Sequence, residues 1–185
     1  MATVTPIVKV LAPAEKTPFG RGFYQLEEEA LYLPVEYPEG RLKFFSFLDS
    51  KTTSFHLDRD GRLIFIEITL PRRRWRVRDN FIPPDRAEAV DLRWLDFRET
   101  IAAPTVFCNT RRDQVMLRFG RGPAVRNVRP AENLIAQIGA DNRLVTIWAF
   151  DIVDDLAGRE IAGWRRAVHG ERKFRQTAPR TGSPM

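Results

Sequence analysis

Thiols, imidazoles and lysines are scarce in this chain. Its single cysteine, Cys108, cannot close an internal disulfide, which points to a reducing compartment such as a cytoplasm. Two histidines and four serines leave little material for nucleophilic or metal chemistry. No apolar stretch approaches the ~18–20 residues needed to cross a bilayer, so no membrane partner is expected. The opening Met1-Ala2-Thr3-Val4-Thr5-Pro6 has neither the basic start nor the apolar run of a secretory signal. No Gly-x-y period and no heptads suggest a fibre. What is present suits a folded body: 185 residues, 43% hydrophobic and 29% charged, enough for one ordinary domain or two small ones at roughly 100–200 residues per domain.

The charge is uneven in kind and in place. Thirty basic residues against 24 acidic ones leave +6, and only five of the thirty are lysine. Arginine forks pair bidentately with phosphate, which favours anions or nucleic acid as partners. The plainer alternative is the codon usage of a GC-rich genome. Residues 170–185 carry a net +3, half of the total, in a Gly/Pro/Ser/Thr-containing basic tail expected to be flexible.

Comparing the chain with itself reveals two halves. Phe55-His56-Leu57-Asp58-Arg59-Asp60-Gly61-Arg62-Leu63-Ile64-Phe65-Ile66 runs parallel to residues 136–147, at a shift of 81 residues that aligns Asp60 with Asp141. Upstream, residues 23–33 line up with 107–117 at a shift of 84, so a three-residue indel separates the blocks. Asp60-Gly61 and Asp141-Asn142 tolerate positive φ, and alternating apolar positions flank both pairs: the pattern of a β-hairpin. Glu27-Glu28-Glu29 and Arg111-Arg112-Asp113 mark a further hairpin in each half, and their opposite charges could draw two halves, or two molecules, together. Solvated turns are the alternative, since surface pairs contribute only about 0–1 kcal/mol.

Glu29-Ala30-Leu31-Tyr32-Leu33, with Asp60-Gly61-Arg62-Leu63-Ile64-Phe65-Ile66-Glu67-Ile68, resembles a small bacterial β-sheet domain family of unknown function. Its members pair an acidic-Ala-Leu-Tyr strand with an Asp-x-x-Gly turn and a strand ending in Ile-Glu-Ile. The resemblance covers residues 23–70 and, more weakly, 106–150, where Asn142 replaces the glycine and Trp148 stands at the place of Glu67. It implies a fold and brings no activity, cofactor or site residue.

The expected organisation is a single body: an extended lead-in at 1–22, a first β repeat at 23–82, a connector at 83–105, a second repeat with a C-terminal helix at 106–169, and the tail. In the connector, Asp85 can cap a short helical turn over 86–89, whereas the alternation from Val90 to Phe97 favours a strand. Asp154 or Asp155 can cap the last helix, whose apolar stripe is Ala157, Ile161, Trp164 and Val168, with Gly170 as its stop. The fold class is therefore α+β, mostly β: two pseudo-symmetric antiparallel units sharing a core, plus an amphipathic helix.

Four sites draw notice. Arg72, Arg74, Arg76 and Arg78 would share one face of a strand, with Arg73, Trp75 and Val77 on the other. That ladder could grip an anion, with Trp75 as a stacking ring; a solvated, aggregation-resistant edge strand explains it as well. His56, Asp58 and Asp60 alternate as metal ligands would, yet aspartates beside a turn glycine usually bond their own backbone, and no metal or other cofactor is expected. Cys108 with His56 or His169 is the only thiol–imidazole pairing, and a packed core thiol accounts for it. Gly120-Arg121-Gly122-Pro123 lacks the remainder of a phosphate loop.

These features favour a non-catalytic interaction protein with a protein partner, of an immunity, antitoxin-like or adaptor kind, anchored by exposed Trp75, Phe81 and Trp94. Nucleic-acid binding through Arg72–Arg78 and the tail is the alternative, and a small hydrolase-like enzyme using His56, Asp58 or Asp60 is the third. A homodimer stays open.

Overall fold

A computed structural model describes residues 4–169, with helical side chains through Arg166. Its first half holds β1 (Val8–Leu11), β2 (Phe19–Gly20), β3 (Gly22–Gln25), β4 (Ala30–Glu36), β5 (Ser46–Asp49), β6 (Thr53–Leu57), β7 (Leu63–Ile68) and β8 (Arg76–Val77). The connector adds β9 (Glu88–Ala89), β10 (Asp91–Trp94) and β11 (Glu99–Thr100). The second half holds β12 (Thr105–Cys108), β13 (Val115–Arg118), β14 (Arg126–Ala131), β15 (Leu134–Ile138), β16 (Leu144–Ala149), β17 (Ile152–Asp155) and the helix α1 (Arg159–His169). Among the described residues the molecule is mostly β with one α-helix, as its turn-rich alternation predicts.

The two halves build the same sheet. In the first the order is β5-β6-β7-β4-β3, and in the second β14-β15-β16-β13-β12, with every neighbouring pair antiparallel. The hairpin turns also match bond for bond. Asp58 N donates to Arg62 O and Gly61 N to Asp58 O; Gly139 N donates to Arg143 O and Asn142 N to Gly139 O. Gly61 (φ 79°) and Asn142 (φ 59°) both take the left-handed conformation such turns require. The register slips at the same place, between His56 and Leu57 and between Gln137 and Ile138.

The halves exchange end strands. β8 follows the first half yet pairs parallel with β12, and β17 follows the second half yet pairs parallel with β3. Between them, β1 and β10 form an antiparallel ribbon in which Val8 faces Trp94. Val8 N donates to Asn142 O and Trp94 N to Gly61 O, so β1 closes on the turn of the second half and β10 on the turn of the first. Interchanging the halves maps the ribbon onto itself, as a pseudo-two-fold axis through that pair requires.

One buried cluster joins the inner faces, with Leu31, Leu33, Phe55 and Ile66 from the first sheet meeting Val115, Leu117, Leu134 and Ile147 from the second. Neither sheet could hide those faces alone. The outer faces are covered separately. Ile161 of α1 packs with Phe23, Ala30 and Tyr32 on the first, and Phe81 packs with Phe107, Met116, Ile135 and Trp148 on the second.

Several expectations need correction. Residues 86–89 form no helical turn; Glu88–Ala89 extends as β9 and pairs with β14, because the bare edge of the second sheet offers backbone partners. The helix begins at Arg159, after Gly158 (φ 63°), so Ala157 lies outside it and is exposed. Asp155 rather than Asp154 serves its start, accepting from Glu160 N at 3.4 Å and Ile161 N at 3.1 Å. Gly170 and the basic tail lie outside the described residues, as does the Val168 side chain.

Candidate functional site

The arginine run does not form a ladder. Pro71 fixes the backbone that opens a 3₁₀ turn over Arg72–Arg74, and only Arg76–Val77 continue as strand. Trp75 folds inward, its Nε1 donating to Leu70 O at 2.9 Å and its ring edge-on to Tyr24. Arg72 pairs with Asp154 and lies 4.0 Å from the Tyr24 ring centroid, while Arg73 pairs with Glu29. Arg74 and Arg76 are exposed between them, and Arg78 swings to the second sheet.

The proposed aromatic anchors divide likewise. Trp75 and Trp94 are 4% and 1% exposed and belong to the shared core, so neither is available to a partner. Tryptophan carries a large apolar area, and burying it outweighs presenting it. Phe81 stands half-buried with its ring 4.9 Å from that of Trp148.

The acidic turn at Glu27–Glu29 is met by α1 and the 3₁₀ turn, not by Arg111–Arg112. Arg165 binds the Glu28 carboxylate through two hydrogen bonds of 2.9 and 2.8 Å, and Tyr32 Oη donates to the same carboxylate. Those bonds, Arg165 foremost, hold the Glu28 carboxyl below its ordinary range, against a smaller opposing effect of burial.

The histidine and cysteine candidates do not assemble reactive sets. Asp58 spends its carboxylate on Asp60 N, Arg62 N and Arg62 Nε. Among the described residues no three His, Cys, Asp or Glu side chains converge as metal ligands would. On the outer face of the first sheet, Ser54 Oγ lies 3.3 Å and Glu67 Oε2 4.0 Å from His56. Both approach the same nitrogen, Nε2, whereas a serine–imidazole–carboxylate relay needs opposite nitrogens. Cys108 is fully buried, and desolvation pushes its thiol pKa up, away from nucleophilic use.

A different site emerges on the second sheet's outer face, at the positions equivalent to His56, Phe65 and Glu67. There stand Gln137, Thr146 and Trp148. Across the first sheet the paired row Phe47–His56–Phe65–Pro34 is mostly aromatic. Its counterpart, Asn127–Gln137–Thr146–Arg118, is polar throughout. Gln137 Oε1 accepts from Thr146 Oγ1 at 2.6 Å and from Trp148 Nε1 at 2.9 Å, and Gln137 Nε2 donates to Asn127 Oδ1 at 3.1 Å. The indole N–H can only donate, so it fixes the orientation of the Gln137 amide, and that amide fixes Asn127.

Gln137, Thr146 and Arg118 of this row line a groove of about 520 Å³ whose lining also includes Arg78 and Arg121 and no carboxylate. Arg78 is held with its guanidinium 3.8 Å from the Phe107 ring centroid. Among the described residues none of the three arginines pairs with Asp or Glu. Ile82 in the lining is 71% exposed, and Val125, next in the chain after the lining residue Ala124, is 62% exposed. The arrangement is suited to holding an anionic group beside apolar side chains. Sequence reading missed it because its parts come from β13, β15, β16, the loop before β14 and the segment that follows β8. The one local signal was the loss of Phe65 and Glu67 from the aligned second half.

No known family model matches the chain, and no curated protein matches it in sequence. No helix among the described residues is long and apolar enough to cross a membrane.

Proposed function

We propose that this protein is a non-catalytic interaction module of a reducing compartment, whose second-sheet groove takes an acidic segment of a partner protein. The observation that carries the reading is the groove's one-sided chemistry: three arginines, none paired with Asp or Glu among the described residues, and no carboxylate in the lining. The exposed Ile82 and Val125 at its margin favour a polypeptide, which alternates acidic and apolar side chains, over a nucleic-acid backbone. The reading through an Arg72–Arg78 ladder loses its geometric support, since Arg72 and Arg73 are spent on Asp154 and Glu29.

The test uses a fluorescent peptide of alternating Glu and Leu and the double charge reversal Arg118→Glu/Arg121→Glu. The wild type should bind the peptide, the double variant at least ~10-fold more weakly, and Arg74→Glu, an exposed arginine elsewhere, about as the wild type does. Equal affinity across all three proteins would refute the groove as the recognition site.

A further inference from the structure

The equivalence of the halves supplies an internal control: a surface side chain needed by the fold should recur at its counterpart. One corner of the first sheet fails that rule conspicuously. Phe45 N donates to Leu57 O as Val125 N donates to Ile138 O, both at 2.9 Å, which makes Val125 the counterpart of Phe45. By the same register Phe47, opposite His56, corresponds to Asn127, opposite Gln137, and Phe44 corresponds to Ala124. The second half thus closes the same strand with alanine, valine and asparagine. The three phenylalanines are 36%, 41% and 39% exposed, so they contribute little to the core.

Cations accompany the rings. Lys43 corresponds to Pro123 and Arg59 to Ala140, so both are again confined to the first half. The Arg59 guanidinium lies 5.4 Å from the Phe45 ring centroid, and Phe97 meets the same ring edge-on at 5.8 Å. Arg98 N donates to Phe47 O at 2.9 Å, and its left-handed backbone (φ 56°) carries an exposed side chain beside that strand. The acidic groups nearby are partly committed: Asp60 lies 3.9 Å from Arg62, and Asp96 accepts from Ile7 N at 3.2 Å, leaving exposed Glu99.

We infer that Phe44, Phe45 and Phe47, with Lys43, Arg59 and Arg98, form a stacking site for single-stranded nucleic acid. Unpaired bases present faces that such rings can stack on, and the strand backbone supplies the charge that the three cations complement. The site lies on the opposite sheet from the groove and does not depend on the acidic-partner reading.

The natural experiment built into the chain provides the variant. Phe44→Ala/Phe45→Val/Phe47→Asn installs the second half's own residues, which this strand geometry accommodates. Binding of a fluorescein-labelled 15-nucleotide oligo(dT) is followed by polarisation between 50 and 200 mM salt. The wild type should bind with a log–log salt slope near −2, as three phosphate contacts on a single strand give. Losing the rings should weaken binding at least ~25-fold, and Arg59→Ala should reduce the slope by ~0.7. Circular dichroism melts confirm that each variant is folded, and Arg59→Ala stands as an independent arm should the triple variant unfold. No binding by the wild type, an unaltered affinity in both variants, or equal affinity for a duplex of the same length would overturn the inference. So would ring-dependent sedimentation with phosphatidylserine vesicles in place of oligonucleotide binding, which would make a lipid surface the ligand.

Discussion

Replacing Gly61 by alanine should injure this fold far more than the matching change in the other turn. A Cβ at Gly61 would lie 2.2 Å from Trp94 O and 3.3 Å from Trp94 N. The obstacle is backbone, so it cannot rotate away; the ribbon itself must shift. Three effects add. Holding alanine at φ 79° costs about 1–2 kcal/mol. Loss of the 2.8 Å bond from Trp94 N to Gly61 O costs about 1 kcal/mol. Displacing the ribbon also loosens Trp94, which sits against Phe55 in the core, for about another 1 kcal/mol. The expected loss is about 3–4 kcal/mol, a fall in Tm of roughly 6–16 °C for a protein of this size. Asn142→Ala is the internal comparison. That turn already carries a Cβ, so alanine there loses only asparagine's tolerance of positive φ, about 1 kcal/mol. Urea titrations of both variants at pH 7, followed by tryptophan fluorescence, measure the difference. If Gly61→Ala falls within about 1 kcal/mol of Asn142→Ala, the claim that the ribbon presses on this turn is wrong.

Two further outcomes follow from the same geometry. Trp75→Phe discards a made hydrogen bond to Leu70 O, whereas Trp94→Phe removes an indole N–H that meets no acceptor among the described residues. Chemical denaturation should therefore find Trp75→Phe the more damaging by about 1 kcal/mol, and the reverse ranking would refute this assignment of polar partners. The Glu28–Arg165 clamp should respond to acid. A carboxyl held below its unfolded value of 4.5 contributes stability that is present above that pH and fades as pH falls through the lower folded value. Both groups are substantially solvated, so the contribution is under about 1 kcal/mol. Hydrogen exchange over residues 159–166 should quicken for Glu28→Gln at pH 7 and for the wild type only below about pH 4.5; indifference of α1 to both would remove the clamp's role.

The portions of this architecture legible in the sequence are those whose causes are local. The turns at Asp60-Gly61 and Asp141-Asn142 announce themselves because positive φ restricts residue choice, and two-residue alternation on either side sets the strand faces. Tyr24 and Cys108, Phe55 and Ala136 align because each occupies an equivalent register. The arginine run misleads for the complementary reason: Arg-x-Arg-x alternation is compatible with a strand, but Pro71 and the burial of Trp75 decide between strand and turn. Trp94 reads as a surface anchor until β1, more than eighty residues away, pairs with its strand. The groove is the least legible element, since Gln137 acquires meaning only when Thr146 and Trp148 arrive beside it on β16.

The exchange of end strands has a mechanical corollary. Peeling β17 away exposes the margin of the opposite sheet, and pulling out β1 uncaps a turn more than 130 residues distant. Neither half can melt while its twin stays whole, so the two sheets should lose their order in a single cooperative step, like a clasp whose hooks each hold the other shut.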